Sequence, residues 1–155
     1  MSNLFLETVS IADKQLLGQK ISDKSIISAV GCRVWLGSRT TSGYGKIYVN
    51  VRTLEGSQFQ TSNVAVHRLA YYLRNGPMIT NISYDVSHLC HNKLCTNTDH
   101  LSFEPRVTNS QRTTCVGEGI CVGHGQYLNC IIWYIVCIYM LSKLHHFVSL
   151  VLYKF

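Results

Sequence analysis

Ser87-His88-Leu89-Cys90-His91-Asn92-Lys93-Leu94-Cys95-Thr96-Asn97-Thr98-Asp99-His100 decides how this chain is read. Cys90 and Cys95 enclose four residues, and Cys95 and His100 enclose four more. A turn that returns two thiolates and then an imidazole to one point suits tetrahedral zinc. His88 stands two residues before the first thiolate. A metal that pins Cys90 would also hold His88 on a rigid support, as a catalytic histidine requires.

Three donors leave one corner of the tetrahedron open. The one cysteine upstream is Cys32, and recruiting it would clip the Gly31–Gly37 segment to the cysteine loop. His91 and His67 are competing donors for that corner. A second set, Cys115, Cys121, His124 and Cys130, has five, two and five residues between its members and is self-contained. Together the sets use six of the seven cysteines. Cys137 remains, and reads as a buried thiol in an apolar tail.

The surroundings agree with metal rather than disulfides. Residues 1–20 lack a long apolar run, and Glu7 and Asp13 fall early, so no signal peptide is expected. An intracellular location is the default, and there clustered Cys and His mean metal more often than disulfides. At 155 residues the chain is one domain whose modest core benefits from cross-links. Its net charge of +6, from 14 Lys and Arg against 8 Asp and Glu, fits a polyanionic partner without requiring one.

Working outward from the loop, Tyr84 to His88 reads as a strand and Leu101 to Pro105 as its return. A helix then starts near Thr108, a candidate cap. Upstream, Lys46 to Arg52 alternates: Lys46, Tyr48, Asn50 and Arg52 share one face, and Ile47, Val49 and Val51 the other. Glu55-Gly56-Ser57 turns the chain, and Gln58 to Thr61 alternates again, which predicts a hairpin. Asn63 would cap a helix over Val64–Leu73, stopped by Asn75-Gly76-Pro77. Residues 1–30 read as a helical lead-in, with Ile11, Leu16 and Leu17 in one helix and a short second one from Asp23.

Residues 131–155 change character. Cys130 to Leu141 carries no charge, but the run is shorter than the roughly 20 apolar residues of a bilayer span. A buried or partner-facing tail, a tail anchor and a shifted reading frame are the open readings. The chain thus divides into a lead-in over 1–30, a zinc-bound domain over 31–130 and an apolar tail over 131–155.

The strand, zinc loop, return strand and helix form a finger that brings His88 and Asn109 near each other. Phosphodiester hydrolysis needs such a pair. A neutral imidazole can take a proton from water. The Asn109 oxygen can help hold Mg²⁺, a hard cation that prefers oxygen, and the metal would stabilise charge on the phosphate. The polar hairpin face, with Gln58 and Gln60 joining it, fits the major groove, where Asn and Gln pair with adenine and Arg or Lys with guanine. Arg33, Arg39, Arg106 and Arg112 are candidate phosphate contacts. His67 and Arg68 read as structural or phosphate-facing.

The run from Ser87 to Cys95, with Asn97, His100-Leu101, Asn109, Arg112 and Cys115, resembles the His-Cys box homing endonucleases, which are ββα-metal (His-Me finger) nucleases. The resemblance covers about residues 31–130 and implies an α+β fold: a small zinc-stabilised finger with an antiparallel DNA-reading hairpin and few helices. It implies two structural zinc ions, His88 as general base, Asn109 on a single catalytic Mg²⁺, and products with 5′-phosphate and 3′-hydroxyl ends. It also implies an arginine against the scissile phosphate, with Arg52 ahead of Lys46. Double-stranded DNA is then the partner, a homodimer the active form and the nucleus the location. No small-molecule substrate is expected. A zinc-stabilised DNA-binding module that does not cut is the alternative.

Overall fold

The computed structural model describes residues 10–52, 59–78 and 83–131; the side chains of 51, 52 and 59–62 lie outside that description. Cys137 and Gln58 therefore fall outside the described residues, as does the tail from 132 onward.

Helix α1 (Ile11–Asp23) starts at Ser10, whose Oγ accepts from the Asp13 amide at 3.1 Å. Its inner face is Leu17 and Ile21, one helical turn apart. Ile11 and Leu16, expected to pack beside Leu17, are exposed. The second helix expected from Asp23 does not form. Ser25–Ile27 is a strand, β1, paired antiparallel with β2 (Arg33–Trp35). Its Ser-Ile-Ile sequence carries two β-branched isoleucines, which favour extended backbone.

β2 also lies against the cysteine loop. The Trp35 amide donates to the Leu94 carbonyl at 2.9 Å and the Thr96 amide to the Arg33 carbonyl at 2.7 Å. These bonds carry the segment that bears Cys32 to the loop that bears Cys90 and Cys95.

The predicted hairpin is β3 (Lys46–Arg52) with β4 (Phe59–Ala65), in antiparallel register from Lys46↔Ala65 to Arg52↔Phe59. Ile47 and Val49 are buried, and Tyr48 and Asn50 are exposed, as the alternation requires. Gly45 lets this hairpin close on the core. A Cβ there would stand 2.6 Å from Val66 Cγ1 and 2.8 Å from Trp35 Cδ1.

β4 extends past Asn63, which is not a cap. Helix α2 runs Val66–Asn75 after Ala65, without a side-chain cap, and ends at Gly76 as expected. Val64 and Ala65 continue the hairpin, in register with Ile47 and Lys46, and the Val66 amide closes it on the Gly45 carbonyl at 3.0 Å. The core gathers α1, the hairpin, α2 and the finger around Trp35, Val66, Leu69 and Tyr72.

The finger itself matches its sequence reading. β5 (Tyr84–His88) pairs with β6 (Leu101–Pro105), placing His88 opposite Leu101. Helix α3 (Arg106–Glu118) follows directly. It starts two residues before Thr108, which is buried inside the helix rather than capping it. Thr108, Arg112 and Cys115 form its buried stripe. No helix among the described residues is long and apolar enough to cross a membrane.

Two metal centres and a candidate active site

Cys32, Cys90, Cys95 and His100 bring one ligand atom each to within 4.8 Å of one another, and so do Cys115, Cys121, His124 and Cys130. In the first group His100 Nδ1 stands 3.5 Å from Cys32 Sγ and 3.7 Å from Cys95 Sγ. In the second, His124 Nε2 stands 3.5 Å from Cys115 Sγ and 3.2 Å from Cys130 Sγ. Ligands about 2.0–2.3 Å from one tetrahedral zinc stand roughly 3.5 Å apart, so both groups fit structural zinc. Cys32, rather than His91 or His67, takes the open corner of the first site.

The thiol chemistry points the same way. A hydrogen bond from Cys90 holds the Cys95 thiol well below its ordinary value. Cys90 is pushed far up, first by that bond and then by burial. Burial, then the Cys95 charge, raises Cys32 as well. The protein alone stabilises one thiolate here, and a divalent cation supplies the charge that three would need.

His88 closes β5 and is buried. Its Nε2 lies 3.1 Å from the carbonyl oxygen of Cys95. A carbonyl only accepts, so Nε2 carries the proton and Nδ1 keeps the lone pair. Burial lowers the His88 pKa to about 4, which leaves the ring neutral at pH 7. The ring borders a cleft of about 210 Å³ that Asn109, Thr113 and Val116 line from α3. Those three fall at i, i+4 and i+7, one stripe of the helix beside its buried one. His88 and Asn109 thus border one space.

The backbone of Arg52 stands away from that cleft, and its side chain lies outside the described residues. The cleft meets the hairpin at Tyr44, next to the Lys46 end of β3, whereas Arg52 pairs with Phe59 at the turn end. Six residues of extended strand separate the two ends by roughly 20 Å. Lys46 is half-buried, and Tyr48 and Asn50 are exposed on the outer hairpin face. α1 flanks that face, with Lys20 Nζ donating to the Tyr48 carbonyl at 3.2 Å. Gln60 joins the hairpin on β4.

Arg112, read as a phosphate contact, is 1% exposed and points inward. Its Nε and Nη2 donate to the two oxygens of Glu104, each at 2.6 Å. Nη2 also donates to the Leu128 carbonyl at 2.8 Å, and Nη1 to Cys130 Sγ at 3.5 Å. Burial alone would raise the Glu104 carboxyl, but the bonds from Arg112 and its charge hold it below its ordinary value. One guanidinium therefore joins β6, α3 and a ligand of the second metal centre. The Ile131 amide, donating to the Leu89 carbonyl at 2.9 Å, ties that loop beside His88. Arg112→Met is expected to destabilise the fold by roughly 3–5 kcal/mol, because Glu104 would be left buried and unpaired. Chemical denaturation with zinc present checks this, and an unchanged midpoint would refute the role.

His67 is the other residue whose place the sequence hid. Its ring centroid is 4.4 Å from that of His88, and Tyr44 lies 5.4 Å from His67 and 5.9 Å from His88. Burial, then the neighbouring His88 and Arg68, keeps His67 neutral. Its position on the inner stripe of α2 beside Val66 and Ala70 was the available signal.

A two-stranded turn and a helix, braced by two Cys₃His groups, with a neutral histidine at the strand end, define a zinc-stabilised His-Me finger. The family model for the zinc-binding loop region of homing endonuclease matches residues 32–142, and the chain belongs to that family. The match includes both metal centres, His88 and Asn109. Comparisons with curated proteins and with solved structures returned no match.

Proposed function

We propose that this chain is a site-specific double-stranded DNA endonuclease of the homing type, hydrolysing phosphodiesters with His88 as general base. The observation that carries the reading is the shared cleft of a neutral His88 and Asn109, in a chain of the homing endonuclease zinc-loop family. His88 Nδ1 takes a proton from the attacking water while Nε2–H stays anchored on the Cys95 carbonyl. The anchor fixes the tautomer and steadies the imidazolium that forms, and it belongs to a metal-ligating residue that cannot drift. Water oxygen bonds to phosphorus, the bond to the 3′-oxygen breaks, that oxygen takes a proton from solvent water, and the ends are 5′-phosphate and 3′-hydroxyl.

Asn109 would hold Mg²⁺ through its side-chain oxygen, and that ion supplies Lewis-acid stabilisation of the phosphate and the leaving oxygen. The outer hairpin face, with Tyr48 and Asn50, would enter the major groove. Arg52 at its turn end would meet a phosphate. Two copies acting on two half-sites would give a double-strand break, since two-fold protein symmetry matches a near-palindrome.

Incubation of supercoiled plasmid with the zinc-loaded protein tests the reading. Nicked and linear products are expected with Mg²⁺ and not with Ca²⁺. Binding without nicking at any divalent concentration would refute the endonuclease and leave the non-cutting DNA-binding module.

A further inference from the structure

The cleft beside His88 needs positive charge if it is to receive a phosphate, and only two cations line it among the described residues, Lys93 and Arg112. Arg112 is committed: both its carboxylate-facing donors are on Glu104, and the pair is buried. Lys93 has no carboxylate partner among the described ion pairs, and it is exposed at the rim.

Its position is nonetheless built. The main chain of Lys93 sits in the metal-braced loop between Cys90 and Cys95, and its carbonyl approaches the Gly45 amide at 3.5 Å. The side-chain stem runs along Gly43, where an added Cβ would meet Lys93 Cδ at 3.7 Å. Gly43 has φ +86°, so a larger residue there would be strained. The ammonium donates to the Ser42 carbonyl at 3.1 Å and lies 5.2 Å over the Tyr44 ring. Tyr44 in turn leans on His88. These holds are a neutral carbonyl and a ring face. An anionic phosphate oxygen is a stronger partner for an ammonium than either.

We propose that Lys93 is a catalytic residue of the endonuclease, the cation that binds the scissile phosphate at the rim of the His88–Asn109 cleft, with Tyr44 as its platform. This rests on the endonuclease reading. Lys93 approaches from the loop side of the cleft and Asn109 from the helix side. A phosphate between them would place its phosphorus within reach of a water held by His88. The charge on the transition state grows there, and a donor already in place stabilises it without reorganising.

Single-turnover nicking of supercoiled plasmid DNA, with protein in excess and Mg²⁺ present, tests the assignment on the wild type, Lys93→Met, Lys93→Arg and His88→Ala. Lys93→Met keeps the stem and removes the charge. It is expected to nick roughly 10–100-fold more slowly while retaining zinc. Its DNA affinity in Ca²⁺ is expected to fall less steeply with salt, by about one unit of log–log slope, the signature of one lost phosphate contact. Lys93→Arg is expected to recover most of the rate. A Lys93→Met protein that nicks like the wild type, while His88→Ala does not nick, overturns the role of Lys93 and leaves the endonuclease standing. A wild type that never nicks overturns both. If Lys93→Met loses zinc, Lys93→Gln replaces it with the same outcomes, since it keeps a polar uncharged side chain at that position.

Discussion

His88→Ala is expected to lose DNA cleavage by about 10²–10⁴-fold while still binding DNA and two zinc ions per chain. The size follows from what the ring alone supplies. Its Nε2 is fixed on the Cys95 carbonyl, so Nδ1 is the nitrogen left to act as the base. Burial holds the ring neutral, so it is ready to accept a proton without first losing one. Neighbouring His91 also borders the cleft, but from the turn, at φ +57°, rather than from the strand end. His67 is within ring contact, but it stands behind His88 on α2 and does not line the cleft. Removal of the imidazole leaves the zinc ligands and the outer hairpin face intact, so binding and catalysis separate. Plasmid nicking rates beside gel-shift affinities make the measurement, with His88→Gln as a better-filled control. Cutting by both variants at the wild-type rate would end the general-base assignment.

Loss of the first zinc is expected to unfold the finger outright. Structural zinc binding is worth about 10–16 kcal/mol in small domains, against a total stability of about 5–15 kcal/mol for a whole native protein. The apolar core cannot cover that loss, which is as large as the whole stability of a typical domain. Cys95 shows why the site matters most. It pairs with Val34 through the backbone, offers its sulfur to the metal group and its carbonyl to His88. Cys95→Ser is therefore expected to retain one zinc rather than two, to melt without a cooperative transition and to show no nicking. Atomic emission for zinc and calorimetry for the transition read both parts. A Cys95→Ser protein that still melts cooperatively near the wild-type temperature would show that the fold does not depend on this centre.

Much of the site was legible because it is local in sequence. Cys90, Cys95 and His100 lie within eleven residues, and their spacing alone allows one metal to hold them. The β5 and β6 boundaries and the alternation of β3 were readable for the same reason, since a half-buried strand writes its burial with period two. The errors lie where long-range pairing overrides local preference. Asn63 has a good capping side chain, yet it stands inside the strand, opposite Tyr48 in the hairpin register. Ser25–Ile27 reads equally well as helix until β2 is beside it. Thr108 looked like a helix start because Pro105 gave no side-chain cap to see.

What the sequence determined by itself is the donor set: six cysteines and two histidines in two groups, a histidine just ahead of one group, and a polar hairpin face. Spacing along the chain is enough for these, because every donor but Cys32 lies within one of two short segments. Only the tertiary structure decided which charges are spent inside and which remain for a partner. Arg112 and Lys93 look alike as letters, but folding buries Arg112 against Glu104 and leaves Lys93 at the rim of the cleft. The reason is desolvation. A buried guanidinium is held only where a carboxylate meets it, and that meeting depends on how β6 and α3 pack, which no local pattern records.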